Sequence, residues 1–191
     1  AHAARNIRPV LGIVHDMEKV CPDAWFINFS NPMIRICDLV NRYSRIRAVG
    51  LCHQIFIGYT MVGIALAKEL GIDVPDGITG MHAHPLQAPL HEQVKKQIIP
   101  LVDIRAAGLN HFSWILSIKH RQTGEDFYPL FRQKFLELDP AFEPLTRRIL
   151  EAFDLFPVPG DTHLCEYLPW VTDPITKPWD KYSLRLYDWD L

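Results

Sequence analysis

Two short polar pairs in this chain each follow an apolar, strand-like run and contain a metal-binding donor. Arg47 to Leu51 leads into Cys52-His53, and Ile104 to Leu109 leads into Asn110-His111. In an open α/β sheet, reactive side chains gather where the strands end. A thiolate and an imidazole together suit a borderline divalent metal ion that keeps open positions for a substrate. The sequence therefore predicts one metal site, built from Cys52 and His111.

A third strand-like run, Ala24 to Ile27, ends in Asn28-Phe29-Ser30-Asn31-Pro32. The amides of Asn28 and Asn31 are suited to orient the hydroxyl groups of a sugar or the ring of a cofactor, because an amide both donates and accepts hydrogen bonds. Three runs that end in this way indicate a single shared site.

Composition excludes several classes of partner. The chain has 191 residues, of which 48% are hydrophobic and 22% charged, values typical of a globular protein. Its formal net charge of -2 leaves no basic excess to neutralise phosphates, so nucleic acid is not an expected partner. No apolar run approaches the roughly 20 residues of a membrane span, and the N-terminus lacks the apolar segment of a signal peptide. We expect a soluble, cytoplasmic protein with reduced cysteines.

The first 71 residues alternate helix and strand signals. The pattern predicts a helix from Asn6, as its cap, to Val20, with Pro9 in its first turn. Ala24–Asn28 and Arg47–Leu51 are predicted strands on either side of a helix at Pro32–Arg42, which together form a βαβ unit. A further helix is predicted from Ile55 to Leu70, with Gly71 as its C-terminal stop.

The second half of the chain is less regular. The segment from Gly71 to Asp103 is predicted to be a long excursion that serves as a lid or an oligomer contact, with an apolar stripe that includes Val94 and Ile98. A β-hairpin is predicted to begin at Phe112 and to turn at Gln122–Glu125. Helices are predicted at Tyr128–Leu138 and Phe142–Phe153.

Four motifs of this chain resemble those of glycoside hydrolase family 4, in the same order and surroundings. They are Asn28-Phe29-Ser30-Asn31-Pro32, Val49-Gly50-Leu51-Cys52-His53, Gly108-Leu109-Asn110-His111 and the segment from His163 to Trp170. The first motif alone is also similar to lactate and malate dehydrogenases, which share the ancestral fold, but the four together favour family 4. Because the enzymes of that family depend on NAD, the pair of catalytic carboxylates used by most glycosidases is not expected here.

The resemblance implies an α/β fold, in which the end of a Rossmann-like, lactate dehydrogenase-like sheet joins part of an α+β catalytic domain. Residues 1–52 would be the C-terminal part of an NAD-binding domain. Residues 53–191 would be a partial catalytic and substrate domain, with an insertion at about 72–103. The implied activity is hydrolysis of an O-glycosidic bond through NAD-assisted oxidation at C3, metal-assisted deprotonation at C2, elimination and water addition. The implied cofactors are NAD and Mn²⁺ or another divalent metal, and the implied substrate is a small glycoside.

The resemblance also assigns roles to individual residues. Cys52 and His111 are the implied metal ligands, while Asn31 and Asn110 contact the sugar or the nicotinamide. His53 lies where an acid that protonates the leaving group is expected, with simple substrate contact as the alternative. The base is expected at Asp161 or Tyr167, and the alternative for Asp161 is an ordinary turn residue.

The chain departs from the family pattern in lacking a GxGxxG motif after a strand, which would bind the pyrophosphate of NAD. We therefore expect an internal portion of a family member that is inactive by itself. The alternatives are a truncated, non-catalytic homologue and a relative of 2-hydroxy acid dehydrogenases of the lactate or malate type. An open sheet edge and the apolar stripe predict a homo-oligomer or a partner chain that supplies the nucleotide-binding half.

Overall fold

The computed structural model describes residues 2–81, 87–109, 111–182 and 184. The chain divides into two compact units, residues 1–53 and residues 54–191, and each is considered by itself. Within the described residues, no helix combines the length and apolar character that a membrane span requires.

The first unit contains the predicted βαβ arrangement. Helix α1 (His2–Val20) precedes strand β1 (Trp25–Asn28), helix α2 (Met33–Tyr43) and strand β2 (Arg47–Gly50). The two strands pair in parallel, with Asn28 opposite Gly50 at their carboxyl ends. The core of this unit is formed by buried aliphatic side chains of both helices and of the residue before β2, namely Val10, Val14, Ile36, Val40 and Ile46.

The predicted start of α1 is wrong. The helix begins at His2, so Asn6 is an interior residue, and Pro9 lies inside the helix rather than in its first turn. Ala3 and Ala4 precede Asn6, and alanine has the highest intrinsic helix propensity of all residues. The cap signal of Asn6 was therefore weaker than the helix-forming tendency of the residues before it.

The second unit begins with two helices where one was predicted. Helix α3 (Ile55–Ala65) and helix α4 (Ala67–Leu70) are separated at Leu66, whose φ of -101° and ψ of 19° are not helical. Gly71 ends α4 in the left-handed conformation with φ of 65°, as predicted.

Helix α5 (Ala88–Ile98) corrects one part of the prediction for this segment, that its apolar stripe is left for another chain. Val94 and Ile98, two members of the predicted apolar stripe, are fully buried in the core of their own unit. They lie against Gly63 of α3, where an added Cβ would come within 2.6 Å of Val94 Cγ1. Because Gly63 lets the two helices approach closely, this stripe is used inside the chain and is not available to another chain.

The sheet of the second unit is antiparallel, in the order β3-β4-β5. Strand β3 (Val102–Leu109) forms a hairpin with β4 (Phe112–His120), and β5 (Phe156–Pro157) pairs with β4. The predicted turn at Gln122–Glu125 is present after β4, where Lys119 and Asp126 form an antiparallel bridge. The hairpin of β3 and β4, which turns between Leu109 and Phe112, was not predicted. Near this turn the strands are so close that a Cβ on Gly108 would lie 2.2 Å from the Phe112 carbonyl oxygen.

Helices α6 (Tyr128–Glu137) and α7 (Pro144–Phe153) match the predicted positions within a few residues. Helix α8 (Gly160–Leu164) follows β5 and continues into a 3-10 turn (Cys165–Tyr167). Phe131, Phe135 and Phe156 form a fully buried aromatic group, in which Phe156 lies 4.7 Å from each of the other two ring centres. Helix α8 and the 3-10 turn contain Asp161 and Tyr167, the two residues at which the base was expected.

Candidate active site

In the first unit, two of the predicted polar motifs lie at the same edge of the sheet. β1 and β2 are parallel, so the segments that contain Asn31 and Cys52 both leave the carboxyl ends of neighbouring strands. The backbone N–H of Leu51 donates a hydrogen bond to the Asn28 carbonyl oxygen over 2.9 Å, which ties the two segments together. This is the position at which open α/β sheets bind ligands.

Asn28 shapes the loop after β1. It is 5% exposed, its Nδ2 donates to the Ser30 carbonyl oxygen over 2.9 Å, and its Oδ1 accepts from the Ser30 N–H over 3.1 Å. The Asn31–Pro32 peptide bond that follows is cis. Because the Asn28 amide is occupied within the loop, the exposed Asn31 is the residue of this pair that faces solvent.

His111 comes after a strand, as predicted, but that strand (β3) is part of the antiparallel sheet and not of the parallel sheet of β1 and β2. It belongs to the second unit and lies in the turn of the β3–β4 hairpin. A two-residue connection between strands is a common hairpin loop. Asn110, its predicted partner, lies outside the described residues.

Three residues after α7 gather around the hairpin turn. The ring centre of His163 lies 4.9 Å from that of His111, and the Tyr167 ring stacks on Phe112 at 5.8 Å. The Nδ1 of His163 is 3.4 Å from an Oε of Glu166. We call His111, Phe112, His163, Glu166 and Tyr167 the hairpin-tip cluster. It contains two imidazoles, a carboxylate and a phenol, all of which can transfer protons.

Asp161 has a different environment from Tyr167. Its side chain is 4% exposed, and its two carboxylate oxygens accept hydrogen bonds from the N–H groups of Leu145 and Thr146 over 2.8 and 2.6 Å. These are amides of the first turn of α7, which have no partner within the helix. Asp161 is therefore a buried cap of α7 and not an exposed turn residue.

Glu143 lies beside Asp161 and completes a buried pair of carboxyl groups. It is 5% exposed, and its two oxygens each accept a hydrogen bond of 2.6 Å, from the N–H of Met81 and from that of Asp161. Its φ of 50° is unusual for a residue other than glycine. The pair thus joins three separate segments of the second unit, at Met81, at the start of α7 and at the start of α8.

Burial raises the pKa of both groups. Removal from water, followed by the charge of Asp161, raises the pKa of Glu143 to about 8, and burial also raises the pKa of Asp161. Burial next to Glu166 and Asp161 raises the pKa of the Cys165 thiol to about 12. Cys165 is therefore a buried thiol that is neutral at physiological pH.

The predicted metal ligands have suitable chemistry but lie in different units. Cys52 precedes α3 and is partly exposed, and His111 is partly exposed in the hairpin-tip cluster. A thiolate and an imidazole suit a divalent transition metal. In the part of the chain that the structure describes, no group of three or more His, Cys, Asp and Glu side chains is arranged to hold a metal ion.

Sequence reasoning did not single out Gln54 as a site residue. It follows the exposed His53 directly, is 7% exposed, and donates a hydrogen bond from Nε2 to the His111 carbonyl oxygen over 2.6 Å. A signal was present in the sequence, because glutamine is not a preferred residue immediately before a helix.

Comparison with known proteins places this chain in a family. A model of "Family 4 glycosyl hydrolase" matches residues 1–69, and a model of "Family 4 glycosyl hydrolase C-terminal domain" matches residues 106–185. These two stretches make up most of the chain. The chain therefore belongs to family 4 of the glycosyl hydrolases.

Curated relatives carry several substrate specificities. The chain is 27% identical over 168 residues to an alpha-galactosidase of Bacillus subtilis, a match that covers 87% of the chain and 32% of that protein. It is 28% identical to an alpha-glucosidase of Erwinia rhapontici, with 88% of the chain and 40% of that protein covered. The chain thus spans about a third of the length of these relatives.

Solved structures show the same fold. LplD of Bacillus subtilis has a TM-score of 0.61 and 21% identity, and the match covers 95% of this chain and 43% of that one. A 6-phospho-alpha-glucosidase from gut microorganisms, in complex with NAD and Mn²⁺, has a TM-score of 0.55 and 20% identity, with 88% and 35% covered. The mixed α/β fold, a Rossmann-like part followed by an α+β part, is therefore as the sequence predicted.

Proposed function

We propose that this chain forms the metal- and sugar-binding part of a family 4 glycosidase that hydrolyses an O-glycosidic bond. Membership of the family supports glycosidase chemistry. The structural neighbour that contains NAD and Mn²⁺ supports these two cofactors. The observation on which the proposal most depends is the hairpin-tip cluster, because it places His111 beside further groups that can hold or move a proton.

In this proposal, residues 1–52 are the C-terminal part of an NAD-binding domain and residues 53–191 belong to the catalytic domain. NAD, when bound, would accept and return hydride at C3 of the sugar, while a divalent metal would stabilise negative charge on the C3 oxygen. Cys52 and His111 would hold the metal. Asn31 and Asn110 would orient the sugar or the nicotinamide, with Asn28 supporting the loop that carries Asn31.

We assign the role of base at C2 to Tyr167 rather than to Asp161. A base must reach the proton that it removes. Both oxygens of Asp161 are occupied by amides of α7, whereas Tyr167 is partly exposed and belongs to the same cluster as His111. His163 is the nearest other proton acceptor in this cluster, and Glu166 is placed to orient its ring. His53 is exposed and directly follows Cys52, and we assign it the role of the acid that protonates the leaving group.

Metal binding by the purified chain tests this proposal. We expect the chain to bind Mn²⁺, and we expect Cys52→Ser and His111→Gln each to weaken binding by more than about tenfold. The loss of the free Mn²⁺ signal in electron paramagnetic resonance measures the affinity. The matched controls are Cys21→Ser and His120→Gln, which change the same residue types elsewhere and should leave the affinity unchanged.

Hydrolysis is a separate readout. With NAD and Mn²⁺ supplied, we expect the 191-residue chain alone to leave a panel of nitrophenyl galactosides, glucosides and galacturonides uncleaved, since it has no GxGxxG motif for the pyrophosphate. Cleavage would contradict the predicted incompleteness. Absence of Mn²⁺ binding in the wild type would contradict the proposed function itself.

We also propose that the chain forms a homo-oligomer through the open face of its parallel sheet. Trp25 and Ile27 are 55% and 54% exposed, and Val49, opposite Ile27, is also exposed. The alternate residues Phe26 and Ala48 pack against the core of the first unit. Parallel sheets are normally covered on both faces, so this face is suited to a second copy.

Size-exclusion chromatography with light scattering tests association. We expect a dimer or larger assembly that Ile27→Lys shifts towards the monomer, because a charge on an apolar interface costs desolvation free energy. Ile175→Lys is the control, since Ile175 is 88% exposed and lies in the second unit. A wild-type chain that stays monomeric over a wide concentration range would refute this proposal.

A further inference from the structure

Gln54 is an unusual residue at the start of α3. It occupies the N-cap position with helical φ and ψ of -52° and -36°, and its side chain makes no hydrogen bond to its own helix. Ser, Thr, Asp and Asn are preferred at this position because their short side chains bond the free amides of the first turn. The local stability of α3 therefore does not account for a glutamine here.

The Gln54 carboxamide is instead directed to the β3–β4 hairpin. Its Nε2 donates to the His111 carbonyl oxygen over 2.6 Å, and its Oε1 accepts from the Ser113 hydroxyl over 3.5 Å. Only 7% of Gln54 is exposed, so both ends of a buried amide are used on one turn of another element. Buried hydrogen bonds of this kind hold their partners in a fixed arrangement.

This contact acts on the backbone of a predicted metal ligand. The two strands already approach closely at Gly108, and Gln54 adds a bond to the main chain of His111 itself. Fixing the backbone of a residue limits the directions in which its side chain can point. Metal-binding imidazoles generally depend on such supporting hydrogen bonds for their orientation and affinity.

We propose that Gln54 is a positioning residue, whose buried carboxamide fixes the hairpin turn and so orients the His111 imidazole for metal binding. This inference rests on the proposed function, because it takes His111 to be a metal ligand. Gln54 follows Cys52 by two residues in the sequence. Within the second unit, Gln54 therefore connects the start of α3 with the turn that carries His111.

Two variants of Gln54 separate its hydrogen bonds. Gln54→Met removes both bonds at similar side-chain length, while Gln54→Glu keeps an acceptor for Ser113 but, as a carboxylate, cannot donate to the His111 carbonyl. We expect both variants to bind Mn²⁺ about tenfold more weakly than the wild type. We also expect faster amide hydrogen exchange at residues 111–113, measured without metal.

Thr60→Val is the matched control. Thr60 is 2% exposed in the same helix, and its hydroxyl donates to the Phe56 carbonyl oxygen over 2.9 Å. The variant also removes a buried hydrogen bond of α3, but this bond does not involve the hairpin. We expect Mn²⁺ affinity and hydrogen exchange at residues 111–113 to stay unchanged in this variant. If the effects of the Gln54 variants came from a general loss of stability in α3, Thr60→Val would show them too.

The outcomes are distinguishable. If the wild type binds Mn²⁺ and Gln54→Met binds it equally well, the inference is wrong while the proposed function stands. Wild-type affinity in Gln54→Glu would likewise overturn it, because the bond to the His111 carbonyl would then have no effect on the metal. If the wild type itself binds no Mn²⁺, the proposed function fails. Hydrogen exchange then still decides whether Gln54 fixes the turn, and unchanged exchange in Gln54→Met would refute it.

Discussion

Asp161→Ala is expected to lower the free energy of unfolding of the second unit by about 3 kcal/mol, because it leaves two buried amides without an acceptor. The amides are those of Leu145 and Thr146 in the first turn of α7. Loss of a helix cap alone costs about 1 kcal/mol, and each unsatisfied buried N–H adds a further cost. Chemical denaturation followed by circular dichroism measures the change.

Asp173→Ala is the control for this substitution. Asp173 also accepts two hydrogen bonds, from the Ile175 N–H and the Thr176 hydroxyl, but both bonds are exposed to solvent. Water replaces the lost acceptor there, so we expect a change of less than about 1 kcal/mol. Similar losses of unfolding free energy in the two variants would show that the burial of Asp161 does not increase its contribution to stability. The larger loss at Asp161 would support its role in holding α7 and, with it, the assignment of the base to Tyr167.

The distinction between Asp161 and Tyr167 illustrates what the sequence left open. Tyr167 lies in the segment from His163 to Trp170 that resembles a family motif, and Asp161 lies two residues before it; residue type alone permits either to act as a base. The partners of Asp161 lie 15 and 16 residues earlier in the chain, and Glu143 lies 18 residues earlier. Such contacts depend on how helices pack, and a one-dimensional pattern does not record them.

Elements that depend on local signals were predicted well. The βαβ unit follows from apolar runs and from Pro32 at the start of α2, and Gly71 stops α4 as its left-handed conformation requires. The errors came from pairing between elements. The run before His111 was correctly predicted as a strand, but its pairing was not: β3 forms an antiparallel hairpin with the strand that follows His111.

The predicted apolar stripe of α5 failed for a similar reason. Its helical periodicity correctly identified Val94 and Ile98 as a buried face, but periodicity does not say which surface covers that face. The surface that covers it is α3, where Gly63 leaves the groove that receives Val94. Because nearly all residues of α3 are apolar, its sequence does not show which of its faces contacts α5. The buried face of α5 was therefore predicted correctly, but the surface that it packs against was not.

The buried pair of Glu143 and Asp161 makes the stability of this unit depend on pH. Within the described part of the chain, neither carboxyl lies in an ion pair. Burial and the charge of Asp161 raise the pKa of Glu143 from 4.5 to about 8, and burial raises the pKa of Asp161 as well. Ionising both carboxyl groups at this short distance costs free energy, because the like charges repel each other in a buried environment. The folded chain therefore keeps a proton that the unfolded chain releases.

The direction of the pH effect follows from this proton. Between pH 4.5 and about 8, the folded state binds more protons at Glu143 than the unfolded state does, so stability falls as pH rises through this range. We expect a slope of up to about 1.4 kcal/mol per pH unit for one proton. Below pH 4.5 both states hold the proton, and above about pH 8 both have lost it, so the contribution of Glu143 is flat outside the range.

Glu143→Gln tests this directly, since glutamine cannot ionise. We expect the variant to lose most of the pH dependence between about pH 5 and 8, measured as the slope of unfolding free energy against pH. Its absolute stability is a poor readout, because an amide has one acceptor oxygen where Glu143 accepts from both Met81 and Asp161. Glu151→Gln, an exposed substitution on α7, should leave the wild-type slope intact. Equal slopes in wild type and Glu143→Gln would mean that Glu143 is ionised in the folded chain at neutral pH, which would contradict this prediction.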